Sequence, residues 1–250
     1  MSIVTENQPD GTPTWIDLGI PDLDRGLEFY GALFGWQFEV GPAEFGRYTM
    51  AYANGRRVAA LAPGDAATHW WNVYLATADC DATAAAVQTA GGTVINPPMD
   101  MLDQGRMAIV HDPAGGQFGL WQGRTHVGCE RVNEPNSLVR NDLVTDQPDV
   151  ARNFYPKVFG FSLDRNEDLP ELDFAFLRRP DGHEVGGIFG VPSGSGTRWT
   201  TTFEVDDTDA AVQRAVAAGG RAGEVDEMIY GRFAEITDPF GVEFSIIARP

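Results

Sequence analysis

Cysteine is scarce: Cys80 and Cys129 are the only two in 250 residues. That is too few for a disulfide framework or a cysteine-ligated zinc site. Basic charge is also short, with 18 Lys and Arg against 36 Asp and Glu, for a formal net charge of −18. A surface of that sign repels phosphate backbones and anionic lipid, which argues against nucleic acid and membrane partners. It either draws cationic ligands or simply keeps the chain soluble. No apolar run approaches the ~18 residues of a membrane span. The opening MSIVTENQPDGTPT has neither the basic segment nor the apolar stretch of a secretory leader, so a cytoplasmic protein is expected. Phosphate loops of the GxGxxG or GxxxxGKS/T type, a GxSxG elbow and a CxxC pair are all missing, which sets aside NAD, ATP and serine-hydrolase chemistry.

What is present is a 43% apolar composition, ample for a packed core, and a conspicuous internal repeat. GRMAIVHDPAGGQFGL (105–120) returns as GRFAEITDPFGVEFSI (231–246), and EFYGALFGWQF (28–38) returns as NFYPKVFGFSL (153–163). DATAAAVQTAGG (81–92) matches DAAVQRAVAAGG (209–220), and VAALAP (58–63) echoes VGGIFG (185–190). The four matches keep their order at offsets of 125 to 128, so the chain is a tandem duplication.

Each half divides again. TWIDLGI alternates as a strand, and Leu23, Leu27, Tyr30 and Phe34 then recur at helical spacing, with Gly35 placed as a C-cap. WQFEV, GRYTMAYA and RVAALA read as three further strands, with the turn signal Asn54-Gly55 before the last. The next quarter repeats the order: strand WWNVYLAT, a helix capped by Asp79 or Asp81, then TVIN, GRMAIVH and GQFGLWQ. The second half follows suit, with strands near Leu138–Thr145 and Trp199–Val205 and helices near Pro148–Phe159 and Asp207–Ala218. The predicted organisation is βαβββ, four times. A module of ~55 residues cannot cover both faces of its own sheet, so two modules side by side are expected to curl into a half-open sheet. Helices would then cover one side and leave a concave face for a ligand.

WIDLGIPDLDRGLEFYGALFGW (15–36) and the two DPxGxxF strands resemble the vicinal oxygen chelate superfamily, the group of glyoxalase I, bleomycin-resistance proteins and extradiol dioxygenases. The resemblance spans the chain and is nearest to two-domain actinobacterial members described as glyoxalase-like or hydroxylase, some associated with antibiotic production. It implies an α+β fold of four βαβββ modules in two tandem glyoxalase-like domains with curved, half-open mixed sheets. Domain 1 is expected over 1–122 (modules about 13–65 and 68–122) and domain 2 over 137–250 (modules about 137–192 and 197–250). The polar, aperiodic segment 123–136, carrying Pro135, is expected to link them.

Enzymes of this superfamily hold a divalent metal on the concave sheet through His, Gln or Glu from the first and last strands of each unit. The resemblance places the first-strand ligand seven residues before the aspartate that opens the helix, and the last-strand glutamate seven after the Asp of DPxG. Those offsets fall on Trp15, about Ala60, Asn72 and Gly119 in the first half, and on Arg140, about Gly187, Thr200 and Ser245 in the second. None is a customary ligand of such metals, so no metal and no cofactor are expected. Of the four histidines, His69, His111, His126 and His183, none has a partner at ligand spacing.

The remaining candidates follow from strand parity. Asp17, Asp142 and Glu243 should face inward, each either a general base or anchor for a cation, or a structural hydrogen-bond acceptor. Trp15, Trp70 and Trp121 share that face with Asn72, Tyr74 and Gln117, and either stack on a flat ligand or pack the core. Arg140 needs an acid such as Asp142 or Glu243, or an anionic ligand group. The sequence favours a metal-free protein binding an aromatic, cationic small molecule, a secondary metabolite or antibiotic, through these residues together with Thr200 and Ser245. The alternative is a glyoxalase-like lyase, isomerase, hydroxylase or dioxygenase that uses an inward carboxylate or an atypical metal site. With four modules in one chain, either a monomer or a homodimer is expected.

Overall fold

The computed structural model describes residues 2–64, 70–165 and 170–250. His69 lies outside the described residues. The first half runs β1 (Pro13–Ile20), α1 (Leu23–Phe34), β2 (Gln37–Glu39), β3 (Thr49–Ala53), β4 (Arg56–Pro63), β5 (Asn72–Ala76), α2 (Cys80–Thr89), β6 (Thr93–Met101), β7 (Gly105–His111) and β8 (Gln117–Gly123). The second half repeats it as β9 (Ser137–Thr145), α3 (Pro148–Phe159), β10 (Ser162–Arg165), β11 (Phe174–Arg178), β12 (Glu184–Gly190), β13 (Thr197–Glu204), α4 (Thr208–Ala217), β14 (Arg221–Met228), β15 (Gly231–Thr237) and β16 (Glu243–Ala248). Four βαβββ modules thus make two eight-stranded sheets, ordered β2-β3-β4-β1-β5-β8-β7-β6 and β10-β11-β12-β9-β13-β16-β15-β14. Neither sheet closes. The two modules of each sheet meet where β1 pairs antiparallel with β5, and β9 with β13; β1–β4, β5–β8, β9–β12 and β13–β16 are parallel, so both sheets are mixed.

Local chemistry sets the boundaries. Asp22, Asp79 and Asp207 cap α1, α2 and α4 by accepting from backbone N–H groups three residues on. Asp79 is therefore the cap of α2, while Asp81 pairs with Arg106. Gly35 and Gly160 end α1 and α3 in the left-handed conformation. Asn54 and Gly55 both take positive φ, 50° and 72°, as a two-residue hairpin turn requires. One element differs from expectation: β6 runs on past TVIN through Pro97 and Pro98 to Met101. It is an edge strand with register shifts around those prolines, where a missing N–H breaks no inner ladder.

The helix-covered faces of the two sheets turn toward each other. α1 packs on α4 and α2 on α3, so the two halves share one core. Ile16, Leu18, Val73, Leu75, Trp71, Phe118, Leu143, Trp199, Phe203, Phe244 and Ile246 point into it. Period-two alternation then puts Trp15, Asp17, Asn72, Tyr74, Gln117, Gly119 and Trp121 on the helix-free face of the first sheet. Arg140, Asp142, Thr200, Glu243 and Ser245 take the corresponding face of the second. No helix among the described residues is long and apolar enough to cross a membrane.

Candidate functional site

On the first sheet, four of the predicted residues meet at Asp17. Its Oδ1 accepts from Asn72 Nδ2 at 2.9 Å, and its Oδ2 from the hydroxyls of Tyr48 and Tyr74, each at 3.0 Å. Trp15 Nε1 donates to Tyr48 Oη at 2.9 Å, closing the network. Burial raises the pKa of Asp17, against the three hydrogen bonds, which favour its charged form. The same burial, reinforced by Asp17, pushes both tyrosines well above their usual range.

The Tyr74 ring lies over Gly119: a Cβ built there would sit 2.0 Å from Tyr74 Cδ1. The chain itself closes much of the rest of this face. The segment after β8 folds back so that His126 meets Trp15 edge-on at 4.3 Å between ring centroids and also packs against Trp121. Trp121 Nε1 donates to the His126 carbonyl oxygen, and Cys129 N donates to Thr14 O. His126 accepts from Gly128 N at Nδ1, and burial lowers its pKa to about 3, so the ring is neutral. Gln117 lies at the far end, with Oε1 3.3 Å from His111 Nε2.

The second sheet is built differently at the equivalent places. Arg140 Nε donates to Asp142 Oδ2 and Nη1 to Glu184 Oε1, both at 2.7 Å, and the guanidinium lies over Phe174 and Phe176 at 5.6 and 5.7 Å from the ring centroids. Arg140 therefore meets the predicted Asp142 and, in place of the predicted Glu243, Glu184. Burial raises the pKa of Asp142 while Arg140 opposes the shift, and Asp142 Oδ1 is left without a partner among the described residues. Phe174 covers Gly187 as Tyr74 covers Gly119, with Cζ 2.0 Å from a Cβ built there. Beside this cluster, Thr200, Glu243 and Ser245 line a depression of about 80 Å³ with Arg198, Glu235 and Trp70. Trp70, expected beside Trp15 and Trp121 on the first sheet, instead borders the second. Its place just before β5 lets the chain lead it out of the first sheet's alternation.

Several residues of these clusters were not singled out from the sequence. Phe174 and Phe176 alternate in FAFLR and were legible by period two. Glu235 was legible in the same way through its pairing with Ser245. Tyr48 lies in the run GRYTMAYA, where it shares the parity of Met50 and Tyr52 and was legible by period two, although β3 itself begins one residue later at Thr49. His126 lies on the aperiodic segment after β8 and carries no such signal. Among the described residues, no group of three or more His, Cys, Asp or Glu side chains is arranged to hold a metal ion.

Comparison with known proteins agrees with this architecture. A sequence profile of the Glyoxalase/Bleomycin resistance protein/Dioxygenase superfamily matches residues 12–120 and again 136–246. The chain is 40% identical over 247 residues to the putative glyoxylase CFP32 of Mycobacterium tuberculosis, covering 95% of this chain and 94% of that one. It is 36% identical over 261 residues to the anthracycline biosynthesis protein DnrV of Streptomyces peucetius, covering 95% and 93%. Among solved structures it superimposes on the Mn(II)-bound glyoxalase from Novosphingobium aromaticivorans with a TM-score of 0.69 at 18% identity, over 96% of this chain and 82% of the other. It also superimposes on the 2,3-dioxygenase LapB from Pseudomonas sp. KL28 with a TM-score of 0.66 at 16% identity, over 97% and 95%. The twice-matched profile, the near full-length relatives and the paired βαβββ sheets agree: this chain belongs to the glyoxalase/bleomycin resistance protein/dioxygenase superfamily.

Proposed function

We propose that this protein binds an aromatic, cationic small molecule of secondary metabolism on the helix-free face of its second sheet, without a metal ion, and sequesters or hands on that molecule. The observation that carries the reading is the composition of the depression there. Glu235 and Glu243 supply two carboxylates against the one guanidinium of Arg198, Thr200 and Ser245 supply hydroxyls, and Trp70 supplies an indole ring. An acidic hollow bordered by a large ring attracts a flat cation by charge and by stacking. At about 80 Å³ the hollow takes the charged end, and the rings lie outward across Trp70. The name of the Streptomyces relative, an anthracycline biosynthesis protein, supports an aromatic secondary metabolite as the ligand class.

The residues present do not fit the divalent ion of the superfamily's enzymes. Ala60, Gly119 and Gly187 offer no donor atom, and Tyr74 and Phe174 fill the space into which longer side chains at the two glycines would reach. Arg140 places a cation where a ligand would stand. Binding of a fluorescent anthracycline, followed by tryptophan quenching, is expected in the micromolar range or below, corresponding to about −8 kcal/mol. It should be unchanged after dialysis against EDTA and weakened at least tenfold by Trp70→Ala or by Glu235→Gln with Glu243→Gln. No binding, or binding lost with EDTA and restored by manganese or zinc, overturns the proposal.

A second reading, a lyase or isomerase working through a carboxylate base, draws on the mycobacterial relative's name and on one geometric fact. Of Asp17, Asp142 and Glu243, Asp17 has both oxygens engaged and Glu243 is exposed, whereas Asp142 combines burial with a free Oδ1. Turnover of the bound metabolite that disappears in Asp142→Asn, with binding retained, would favour catalysis.

A further inference from the structure

A larger cavity, about 480 Å³, lies between the two halves, away from the depression on the second sheet. One wall is the amino-terminal segment. Val4 N donates to Glu130 O, Val132 N donates to Ser2 O, and Gly11 N donates to Ala76 O. Between those fixed points Asn7 Nδ2 holds Gly123 O, and the polar stretch 5–9 runs across as a largely exposed strap. The opposite wall is formed by the beginnings of β9 and β12, residues 138–141 and 184–186. Arg179, buried, ties the walls together through Nη1 to Thr12 Oγ1 at 2.7 Å.

The volume lies within the ~300–1,000 Å³ typical of small-molecule sites. Of its lining residues only His183 carries an aromatic ring; the apolar surface is aliphatic, from Ile3, Val4, Pro13, Leu138, Val139 and Val185. The wall guanidinium groups are already matched: Arg140 by Asp142 and Glu184, and Arg179 by Asp181 through Nε and Nη2. An anionic ligand would bring a third carboxylate to Arg140. A cationic one would find Glu184 taken and only Glu6, on the exposed strap, to answer it. Charge therefore selects a neutral molecule.

Arg140 Nη2 is without a hydrogen-bond partner among the described residues and offers donors at this wall. We propose that this cavity is a second binding site, for a neutral, largely aliphatic molecule that carries a carbonyl acceptor. The site stands independently of the aromatic-cation reading above.

The probe is N-acetyl-L-leucinamide, titrated into isotopically labelled protein up to about 10 mM, the regime of weak millimolar affinity. Saturable amide shifts at Thr14, Cys129 and Gly186 are expected, with Glu243 and Ser245 unmoved. Leucinamide, a cation, and N-acetyl-leucine, an anion, should bind at least tenfold more weakly. Val139→Phe narrows the cavity and should remove the response; Val185→Phe does the same from the other wall should the first variant fail to fold. An anthracycline titration on the same sample should move Glu243 and Ser245 instead, so either site can fail alone. Absence of saturable shifts at the cavity, equal binding of a charged analogue, or shifts that persist in a folded narrowed variant would overturn the assignment.

Discussion

Gly119 has no side chain because Tyr74 lies where one would go, and Gly187 stands in the same relation to Phe174. Gly119→Ala is therefore expected to destabilise the protein by about 1–3 kcal/mol through overpacking, read as a lower urea midpoint. In a Tyr74→Ala background the same change should cost much less, because the two residues are coupled by direct contact. Asp17 carries a pH signature. Its folded-state pKa is raised above the ordinary 3.8, so the folded state holds this proton more tightly than the unfolded chain does. The resulting stabilisation is complete below the unfolded value and is lost as pH rises through the raised folded value. Asp17→Asn should remove that component, so its urea midpoint falls less steeply than the parent's from about pH 4 upward. A variant as steep as the parent would place the titrating group elsewhere.

At the scale of elements, each half donates a helix tyrosine to a turn of the other. Tyr30 of α1 donates to Asp238 Oδ2 at 3.0 Å, and Tyr155 of α3 donates to Asp112 Oδ2 at 2.7 Å. Both aspartates belong to the DPxG turns, where their Oδ1 atoms accept from backbone N–H groups that shape the turn. The repeated motif thus anchors helices as well as ending strands. The two anchors differ in one bond: Trp199 Nε1 donates to Tyr155 Oη at 3.0 Å, whereas Trp71 Nε1, at the equivalent place, makes no hydrogen bond of good geometry among the described residues. Tyr155→Phe should accordingly cost about 1–3 kcal/mol, since it strands a buried carboxylate oxygen and an indole N–H. Tyr30→Phe should cost less, having one such group to strand. Equal costs in chemical denaturation would contradict this difference.

Across the whole molecule, these crossed anchors and the shared helix core make the two halves mutually dependent. Phe34, Trp36 and Trp71 of the first half pack directly on Phe203 of the second, and Phe34 and Tyr30 also meet Phe244. Separating the halves would expose that aromatic surface, which a loosely joined pair of domains would not. Thermal unfolding should therefore give one calorimetric transition. Two resolved transitions would show that the halves fold on their own.

The sequence by itself determined the repeated βαβββ order, the caps and turns, and which face each strand residue takes. All of these depend on spacing along the chain: a period of two, a period near 3.6, or a cap a few residues from its N–H. That is why Asp17, Asn72 and Tyr74 were legible as residues of one face, while their meeting depends on the pairing of β1 with β5. Only the tertiary structure decided that Glu184 rather than Glu243 meets Arg140, that Trp70 faces the second sheet, and that His126 packs over the first. Those contacts join residues tens of positions apart or on aperiodic segments, and their partners are fixed by how the two halves dock. No local rule encodes that geometry.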